Sequence, residues 1–136
     1  MKIKLDENAC YPVREHEIDA GIDIRTPEGF TVFPHDSYFV DTGVHVELPE
    51  GTCGLLLSKS GLNKNRDITT VGVIDEGYSG SIGVKVYNHG NKHQKFERGD
   101  KITQLLVIPC LYEKLEVVDE ILSGDRGDEG FGSTGV

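Results

Sequence analysis

The chain has 136 residues, which is the size of one ordinary domain with a single core. It carries 23 Asp and Glu residues against 14 Lys and Arg residues, and this net charge of -9 argues against general electrostatic binding to nucleic acid or to an anionic membrane. An anionic ligand would therefore have to be held locally, or together with a metal.

Three cysteines, Cys10, Cys53 and Cys110, lie far apart and form no CxxC pair, so neither a disulfide framework nor a zinc site is indicated. We expect them to be small buried groups in a reducing compartment. No apolar stretch resembles a signal peptide or reaches the length of a membrane span. The expected location is the cytoplasm, with no membrane partner.

Short apolar or alternating runs dominate the chain, and their flanking Gly, Pro, Asn and Asp residues predict closely spaced strands. After a first run at the N-terminus, they are "IDIR", "FTVF", "SYFV", "VHVEL", "CGLLL", "SIGVKVY", "KITQLLVI" and "KLEVV". Only residues 58–66, "SKSGLNKNR", offer a short helix, and the serines are expected to cap its start. We predict an all-β domain, either a sandwich or a jelly roll. Because many short strands leave unpaired edges, a homo-oligomer is expected.

The composition shifts once, at about Ser123, where a Gly-rich polar tail begins. We therefore divide the chain into a β domain, residues 1–122, and a tail, residues 123–136, that should be mobile when nothing is bound. The tail contains a GxGxxG pattern, but the dinucleotide fingerprint also needs a preceding strand and a following helix. His89 and His93 lie four residues apart in "NHGNKHQ", which is more typical of a solvated hairpin turn than of a metal site.

The segment "VGVIDEGYSGSIGVKVYN" has two strand-like runs around an acidic turn. Asp75 and Glu76 are open to two interpretations, either an acidic hairpin tip or a functional site. In the second, Asp75 follows apolar Val73 and Ile74, which places its carboxylate at the rim of the core, where it can orient a water. Aspartates are normally ionised at neutral pH, as a general base requires.

Two other segments also allow more than one interpretation. "LLLSKSGL" presents Ser58, Lys59 and Ser60 at a strand-to-helix corner, which suits an anion but is also typical of a plain helix cap. In "AGIDIR", Asp23 stands between isoleucines, so alternation predicts that it faces away from them and is partly exposed. It would be either a surface acid or a carboxylate that helps to hold a hydrated Mg²⁺.

Five stretches in this order resemble the five motifs of the homotrimeric dUTP diphosphatases (dUTPases). They are "AGIDI", "SKSGL", "GVIDEGYSG", "RGDKITQL" and "RGDEGFGSTG", and they span nearly the whole chain. The resemblance implies a distorted jelly-roll or β-sandwich with one short helix at most, assembled as a homotrimer whose active sites are shared between subunits. It implies hydrolysis of dUTP to dUMP and pyrophosphate, with Mg²⁺ on the phosphates.

The resemblance also implies a role for each matching residue. Asp75 would activate a water for attack on the α-phosphorus, and Tyr78 would lie against the deoxyribose. Asp23 would contact the metal through water. Main-chain groups that read the uracil edge would come from Val71, Gly72 and Gly83. Lys59, Ser60 and Gln104 would contact phosphate, and Gly61 would be a further substrate-binding residue. The tail, acting as a lid over a neighbouring subunit's nucleotide, would contribute Arg126, Phe131, Gly132, Ser133 and Thr134.

This chain departs from the family pattern at Lys59, at Glu129, and in the fourth motif, where Lys101 replaces a usual arginine and Thr103 a usual alanine with small expected effect. Lys59 stands where arginine is usual, which keeps the charge but loses the planar fork that suits a phosphate. Glu129 stands where glycine is usual, which would stiffen the lid and add negative charge. Two other functions are weighed against hydrolysis: the related dCTP deaminases, which "SKSGL" and "GVIDEGY" disfavour, and a non-catalytic nucleotide sensor, against which the intact Asp75 and Tyr78 argue.

Overall fold

A computed structural model gives the structure of residues 1–121, and all structural statements below refer to them. These residues form ten strands and one short helix. In chain order they are β1 (Lys2–Leu5), β2 (Ile22–Arg25), β3 (Phe30–Val32), β4 (Ser37–Asp41), β5 (Val44–Glu47), β6 (Thr52–Leu57), α1 (Ser60–Arg66), β7 (Ile68–Ile74), β8 (Gly83–Asn88), β9 (Gln94–Phe96) and β10 (Lys101–Pro109).

Six of the strands form one antiparallel sheet in the order β2-β10-β6-β7-β8-β4. Two small antiparallel sheets, β1-β5 and β3-β9, complete the fold. The sheets enclose a single apolar core to which most of the strands contribute. The predicted class, an all-β distorted jelly roll with one short helix, is confirmed.

Alternation along the strands explains which side chains enter the core. In β8, Val84 and Val86 are buried while Lys85 between them is exposed. In β7, Ile68, Thr70 and Ile74 are buried, whereas Val71 and Val73 are exposed. Successive side chains of a strand point to opposite faces, so a half-buried sheet produces this pattern. The exposed valines of β7 leave an apolar surface beside the turn that follows.

The hairpin formed by β7 and β8 opens partway along its length. The two strands pair at Ile68↔Asn88, Thr69↔Tyr87 and Thr70↔Val86, and the ladder stops there. Beyond Thr70, β7 continues beside β6 up to the pair Gly54↔Ile74, while β8 continues beside β4 up to the pair Asp41↔Gly83. The two strands therefore diverge toward the Asp75–Ser81 turn, which leaves a gap between them.

The helix begins differently from the sequence-based expectation. Its N-cap residue is Lys59, which makes no side-chain capping hydrogen bond. The hydroxyl of Ser58 instead donates to the Thr70 carbonyl at 3.1 Å and accepts from the Thr70 amide at 2.9 Å. The prediction of a serine cap was wrong because Ser58 bonds to the neighbouring strand rather than to the first turn of α1.

Other local predictions also need correction. "KLEVV", residues 114–118, is not a strand, because within the described residues it pairs with no neighbouring strand. β9 was not predicted, since "QKF" is too short to show alternation. The residues between β8 and β9 form a loop rather than a hairpin, because β9 pairs with β3. The three cysteines are free thiols but half-buried rather than buried.

Residues 122–136 lie outside the described structure, so the predicted boundary between the β domain and the tail stays a prediction. In the described part of the chain, no helix has both the length and the apolar character needed to span a membrane.

Candidate active site

A pocket of about 580 Å³ lies in the gap between β7 and β8. β7 contributes its C-terminal end, β8 its first residue, β4 the opposite wall, and the Asp75–Ser81 turn the rim. The lining residues are Phe39, Asp41, Val73, Ile74, Asp75, Tyr78, Ser81 and Gly83. The structure thus brings together Asp75, Tyr78 and Gly83, three residues that the sequence pattern singled out.

The two acids of the turn have different surroundings. Glu76 accepts hydrogen bonds from the Gly51 amide at 2.9 Å and from the Tyr112 hydroxyl at 2.6 Å. The pKa of Glu76 lies below its ordinary value, mainly because of the hydrogen bond from Tyr112 and secondly because of the bond from Gly51. The bond between Tyr112 and Glu76 also raises the pKa of Tyr112 to about 12. The Asp75 carboxylate is exposed and accepts no hydrogen bond within the described chain. Of the two acids, Asp75 is therefore the one free to bind a water in the pocket.

Tyr78 is fixed across the turn that carries Asp75. Its amide donates to the Asp75 carbonyl at 3.0 Å, and its hydroxyl donates to the Ser81 carbonyl at 2.9 Å. The ring also covers Gly80, where an added Cβ would lie 2.4 Å from the tyrosine oxygen. Tyr78 thus forms a fixed wall beside Asp75, with 44% of its surface exposed.

The opposite wall comes from Phe39, which the sequence analysis did not select. Its side chain is 62% exposed, and its ring lies so close to Gly83 that an added Cβ there would be 2.4 Å from Cζ. Gly83 therefore admits the Phe39 ring in this structure. The signal was present in "SYFVD", since alternation with buried Val40 places a large aromatic on the open face.

Two further pocket residues, Asp41 and Ser81, were also not predicted from the sequence. Asp41 accepts hydrogen bonds from the Ser81 hydroxyl and from the Gly43 amide, the latter at 3.2 Å. Neither residue lies in a motif, and their proximity depends on β4 and β8 being neighbours in the sheet. The pair ties the end of the turn to the β4 side of the pocket.

A second group of predicted residues meets elsewhere, around Asp23. Asp23 is only 5% exposed, so the prediction of partial exposure was wrong. It is ion-paired with Lys59 through one oxygen and with Lys101 at 2.8 Å through the other, while Lys101 also contacts Glu15 at 2.8 Å. Burial works against ionisation, but the bonds from Lys101 and Lys59 outweigh it and hold the pKa of Asp23 below its ordinary value. Two ammonium groups explain why a carboxylate is tolerated in this buried place.

The same end of the sheet holds Gly61 and the remaining predicted phosphate-contacting residues. Gln104 lies opposite both Asp23 and Leu57, and its amide donates to the Ser58 carbonyl at 3.1 Å. Ser60 and Gly61 are exposed at the start of α1. Lysine ammonium groups and a side-chain amide gathered at one sheet end can hold an anion locally on an otherwise acidic protein.

The two groups lie at opposite ends of β6. At one end of β6, Leu57 pairs with Val71, and Lys59 follows Leu57 by two residues. Toward the other end, Gly54 pairs with Ile74, which Asp75 directly follows. Asp75 is therefore near the position of Cys53, six residues from Lys59, which corresponds to roughly 20 Å along a strand. A single chain does not bring its Asp75 to its own Lys59.

The surroundings of Asp23 fit a metal ion that would be bound mainly by the phosphates of a ligand and only through water by the protein. The described residues contain no group of three or more His, Cys, Asp or Glu side chains placed to bind a metal ion. Each Asp23 oxygen has one ammonium partner and can accept a further hydrogen bond from water. Mg²⁺ keeps several waters and commonly uses one carboxylate together with substrate phosphates. The tail residues Arg126, Phe131, Gly132, Ser133 and Thr134 lie outside the described residues.

Comparison with known proteins gives one consistent result. Residues 7–135 match the dUTPase family model. The chain is 41% identical, over 98% of its length and 96% of the relative's, to a deoxyuridine 5'-triphosphate nucleotidohydrolase of Clostridium novyi.

Two solved structures are similar in fold. A dUTPase of Staphylococcus bacteriophage 80alpha with bound dUPNHPP has a TM-score of 0.91 and 32% identity, covering 99% of this chain and 98% of that one. A variant dUTPase of the S. aureus phage phi11, in which a structural Mg(II) ion is coordinated, has a TM-score of 0.80 and 29% identity, covering 88% and 96%.

Proposed function

This chain belongs to the dUTPase family and is a dUTP diphosphatase, and we propose that it acts through a water that Asp75 activates for attack on the α-phosphorus of dUTP. The products are dUMP and pyrophosphate. The observation that carries the mechanism is the contrast between Asp75 and Glu76. Glu76 is held by Gly51 and Tyr112, whereas the neighbouring Asp75 carboxylate opens into the pocket without a protein partner in the described chain.

The walls of the pocket support a nucleoside ligand beside Asp75. Main-chain groups of a strand point alternately to its two neighbours, so those of Val71 to Ile74 that point away from β6 are open where β8 has diverged. They offer donors and acceptors to the edge of a uracil, together with the main chain near Gly83. In this proposal the Tyr78 ring, which lines the pocket, contacts the deoxyribose and leaves no room for a ribose 2′-hydroxyl.

The proposed site is completed by other copies of the chain. The roughly 20 Å between the Asp75 end and the Lys59 end of β6 supports an active site that takes these ends from different subunits. Residues 111–121 support assembly too, because they carry exposed apolar side chains outside any strand. Among them are Leu115, Val117 and Ile121, with 99%, 100% and 85% of their surface exposed. By resemblance to the family, the proposed assembly is a homotrimer.

The phosphates would lie at the Asp23 end of another subunit. Lys59, Ser60, Gly61 and Gln104 are grouped there, and Asp23 would contact Mg²⁺ through water. When bound, the metal would neutralise charge on the phosphates. Arg126, Phe131, Gly132, Ser133 and Thr134 belong to the proposal by resemblance, as the lid. The proposed location is the cytoplasm, which three free thiols support.

The experiment that tests the function is an assay of the purified chain with Mg²⁺ and each of dUTP, dTTP, dCTP and UTP in turn. We expect pyrophosphate and monophosphate from dUTP alone at an appreciable rate. Release of pyrophosphate no faster than in enzyme-free buffer would overturn the proposal. Formation of ammonia from dCTP would instead favour deamination, and binding of dUTP without turnover would favour a sensor.

A further inference from the structure

His45, on the two-stranded β1-β5 sheet, reaches the turn that carries the proposed catalytic residue. Its Nδ1 lies 2.9 Å from the Ser79 carbonyl oxygen, and its Nε2 lies 3.1 Å from Oδ2 of Asp6. A carbonyl and a carboxylate can only accept hydrogen bonds. A neutral imidazole has a single N–H, so both contacts are hydrogen bonds only when His45 is an imidazolium.

The surroundings of His45 favour that charged form. Its side chain is 18% exposed, and Asp6 supplies the negative charge next to it. The pKa of His45 is raised above its ordinary value, mainly by the bond to the Ser79 carbonyl and secondly by the bond to Asp6. Partial burial and the charge of Lys4 act in the opposite direction but do not outweigh these bonds. The same hydrogen bond from His45, with that from Lys4, lowers the pKa of Asp6.

Ser79 follows Tyr78 in the Asp75–Ser81 turn, so the contact acts on the pocket rim. The other side of the turn is fixed by Glu76, through Gly51 and Tyr112. On the His45 side, Ser79 is an exposed residue that belongs to no strand. Besides Glu76 and the Ser81–Asp41 bond, the imidazolium therefore provides a further point of attachment, which connects the turn to the N-terminal segment that follows β1.

We propose that His45, oriented by Asp6, is a positioning residue that holds the Asp75–Ser81 turn in its productive geometry, and that it does so only as an imidazolium. This rests on the proposed function of that turn. Loss of the proton removes one of the two hydrogen bonds, so either the Ser79 carbonyl is released from the ring or the ring is released from Asp6, which orients it toward Ser79. Tyr78 and Asp75 then sample more positions, and a small displacement of reacting groups lowers the rate substantially.

Other charged groups also face His45. Lys4 lies opposite it in the β1-β5 pairing, and Lys2 and Glu47 line the same shallow surface. The turn contributes Asp75, Glu76 and Tyr78 as titratable residues. Among these residue types, only histidine ordinarily changes charge between pH 5 and pH 8. A transition near neutral pH that disappears in His45→Gln can therefore be assigned to His45.

The direction of the pH dependence follows from the raised pKa. The stabilising contribution of the imidazolium is fully present below the pKa of an unfolded histidine, and it is lost as the pH rises through the higher value in the folded protein. The kcat/KM for dUTP should fall by roughly threefold to tenfold across that alkaline transition.

The test compares pH profiles of kcat/KM for the wild type, His45→Gln and Asp6→Asn, with His93→Gln as the control. His93 is exposed in the loop before β9 and has no part in the pocket. We expect the alkaline transition to disappear in His45→Gln, to move to lower pH in Asp6→Asn, and to persist in His93→Gln. Superimposable profiles for wild type and His45→Gln, or an unmoved transition in Asp6→Asn, would overturn the proposal.

A measurement that needs no turnover accompanies the kinetics. NMR titration of the wild type should show both ring nitrogens of His45 protonated at low pH, and the amide signals of Tyr78 and Ser79 should titrate with the same midpoint. Turn amides that do not follow His45 would refute the positioning role, even if His45→Gln failed to fold. If the wild type released no pyrophosphate from dUTP, the proposed function would fail. The NMR titration of His45 and of the Tyr78 and Ser79 amides would still show whether His45 positions the turn.

Discussion

The ammonium group of Lys101 lies 2.8 Å from Oδ2 of Asp23, whose side chain is only 7% exposed. Lys59 occupies the other oxygen, so the carboxylate joins β2, β10 and the residue that precedes α1. This arrangement keeps Asp23 ionised inside the protein.

Replacing Lys101 by Met should therefore destabilise the fold by about 2 kcal/mol at neutral pH, because a buried carboxylate loses one charged hydrogen bond. The lowered pKa of Asp23 means that its contribution is present above the unfolded pKa of about 4 and is lost as the pH falls through the folded value. In Lys101→Met the folded pKa of Asp23 should lie closer to the unfolded value, so the loss of stability on acidification that Asp23 causes should be smaller than in the wild type. Urea denaturation at several pH values measures both effects.

The exposed ion pair of Lys95 and Glu97 provides the control for this measurement. Lys95→Met should change stability little, because exposed pairs contribute little to folding. An equal loss in the two variants would show that the Asp23 cluster has no special role.

Replacing Asp75 by Asn should lower kcat for dUTP by about a hundredfold or more, because a positioned general base typically contributes that much. The binding of a non-hydrolysable dUTP analogue should remain, since the amide keeps the size of the carboxylate. Asp41→Asn is the matched control, another aspartate of the same pocket that is already hydrogen-bonded to Ser81 and Gly43. Single-turnover kinetics and calorimetry separate the two effects, and unchanged turnover in Asp75→Asn would disprove its role as the base.

Replacing Gly83 by Ala should narrow the pocket, because the new Cβ would lie 2.4 Å from Cζ of Phe39. The ring must move, and overpacking of this kind costs about 1–3 kcal/mol. We expect a higher KM for dUTP and a lower Tm. The double variant Gly83→Ala/Phe39→Leu should recover much of both losses, and failure to recover either would mean that the Phe39 contact is not the cause.

Mixing two inactive variants should restore activity if active sites are shared between subunits. Asp75 and Lys59 lie near opposite ends of β6. If a site uses Asp75 of one chain and Lys59 of another, a mixed assembly of Asp75→Asn and Lys59→Met can contain sites in which both residues are unaltered. Random reassembly from equal amounts would yield about a quarter of the sites intact. Activity of the co-refolded mixture is measured against each variant refolded alone, and no gain would indicate that each chain forms its own site.

Local patterns in the sequence were sufficient to predict much of this protein. Strand alternation depends on neighbouring residues only, so "IDIR", "VHVEL" and "KITQLLVI" were correctly assigned, as was the helix within residues 58–66. The turn after "VGVI" was predicted because two apolar runs flank its glycines. The dUTPase family was recognised from five short motifs, and comparison with known proteins confirmed it.

Only the tertiary structure decided how distant residues are paired. Alternation predicted a partly exposed Asp23, but Asp23 is buried and ion-paired with Lys59 and Lys101, which are distant in sequence. The opening of the β7-β8 hairpin, which creates the pocket, occurs where β7 continues beside β6 and β8 continues beside β4 after the β7-β8 ladder has stopped. His45 contacts Ser79 across 34 residues. The physical reason is that hydrogen bonds and ion pairs depend on which strands are neighbours and in which register, and a local repeat of two residues carries no information about either.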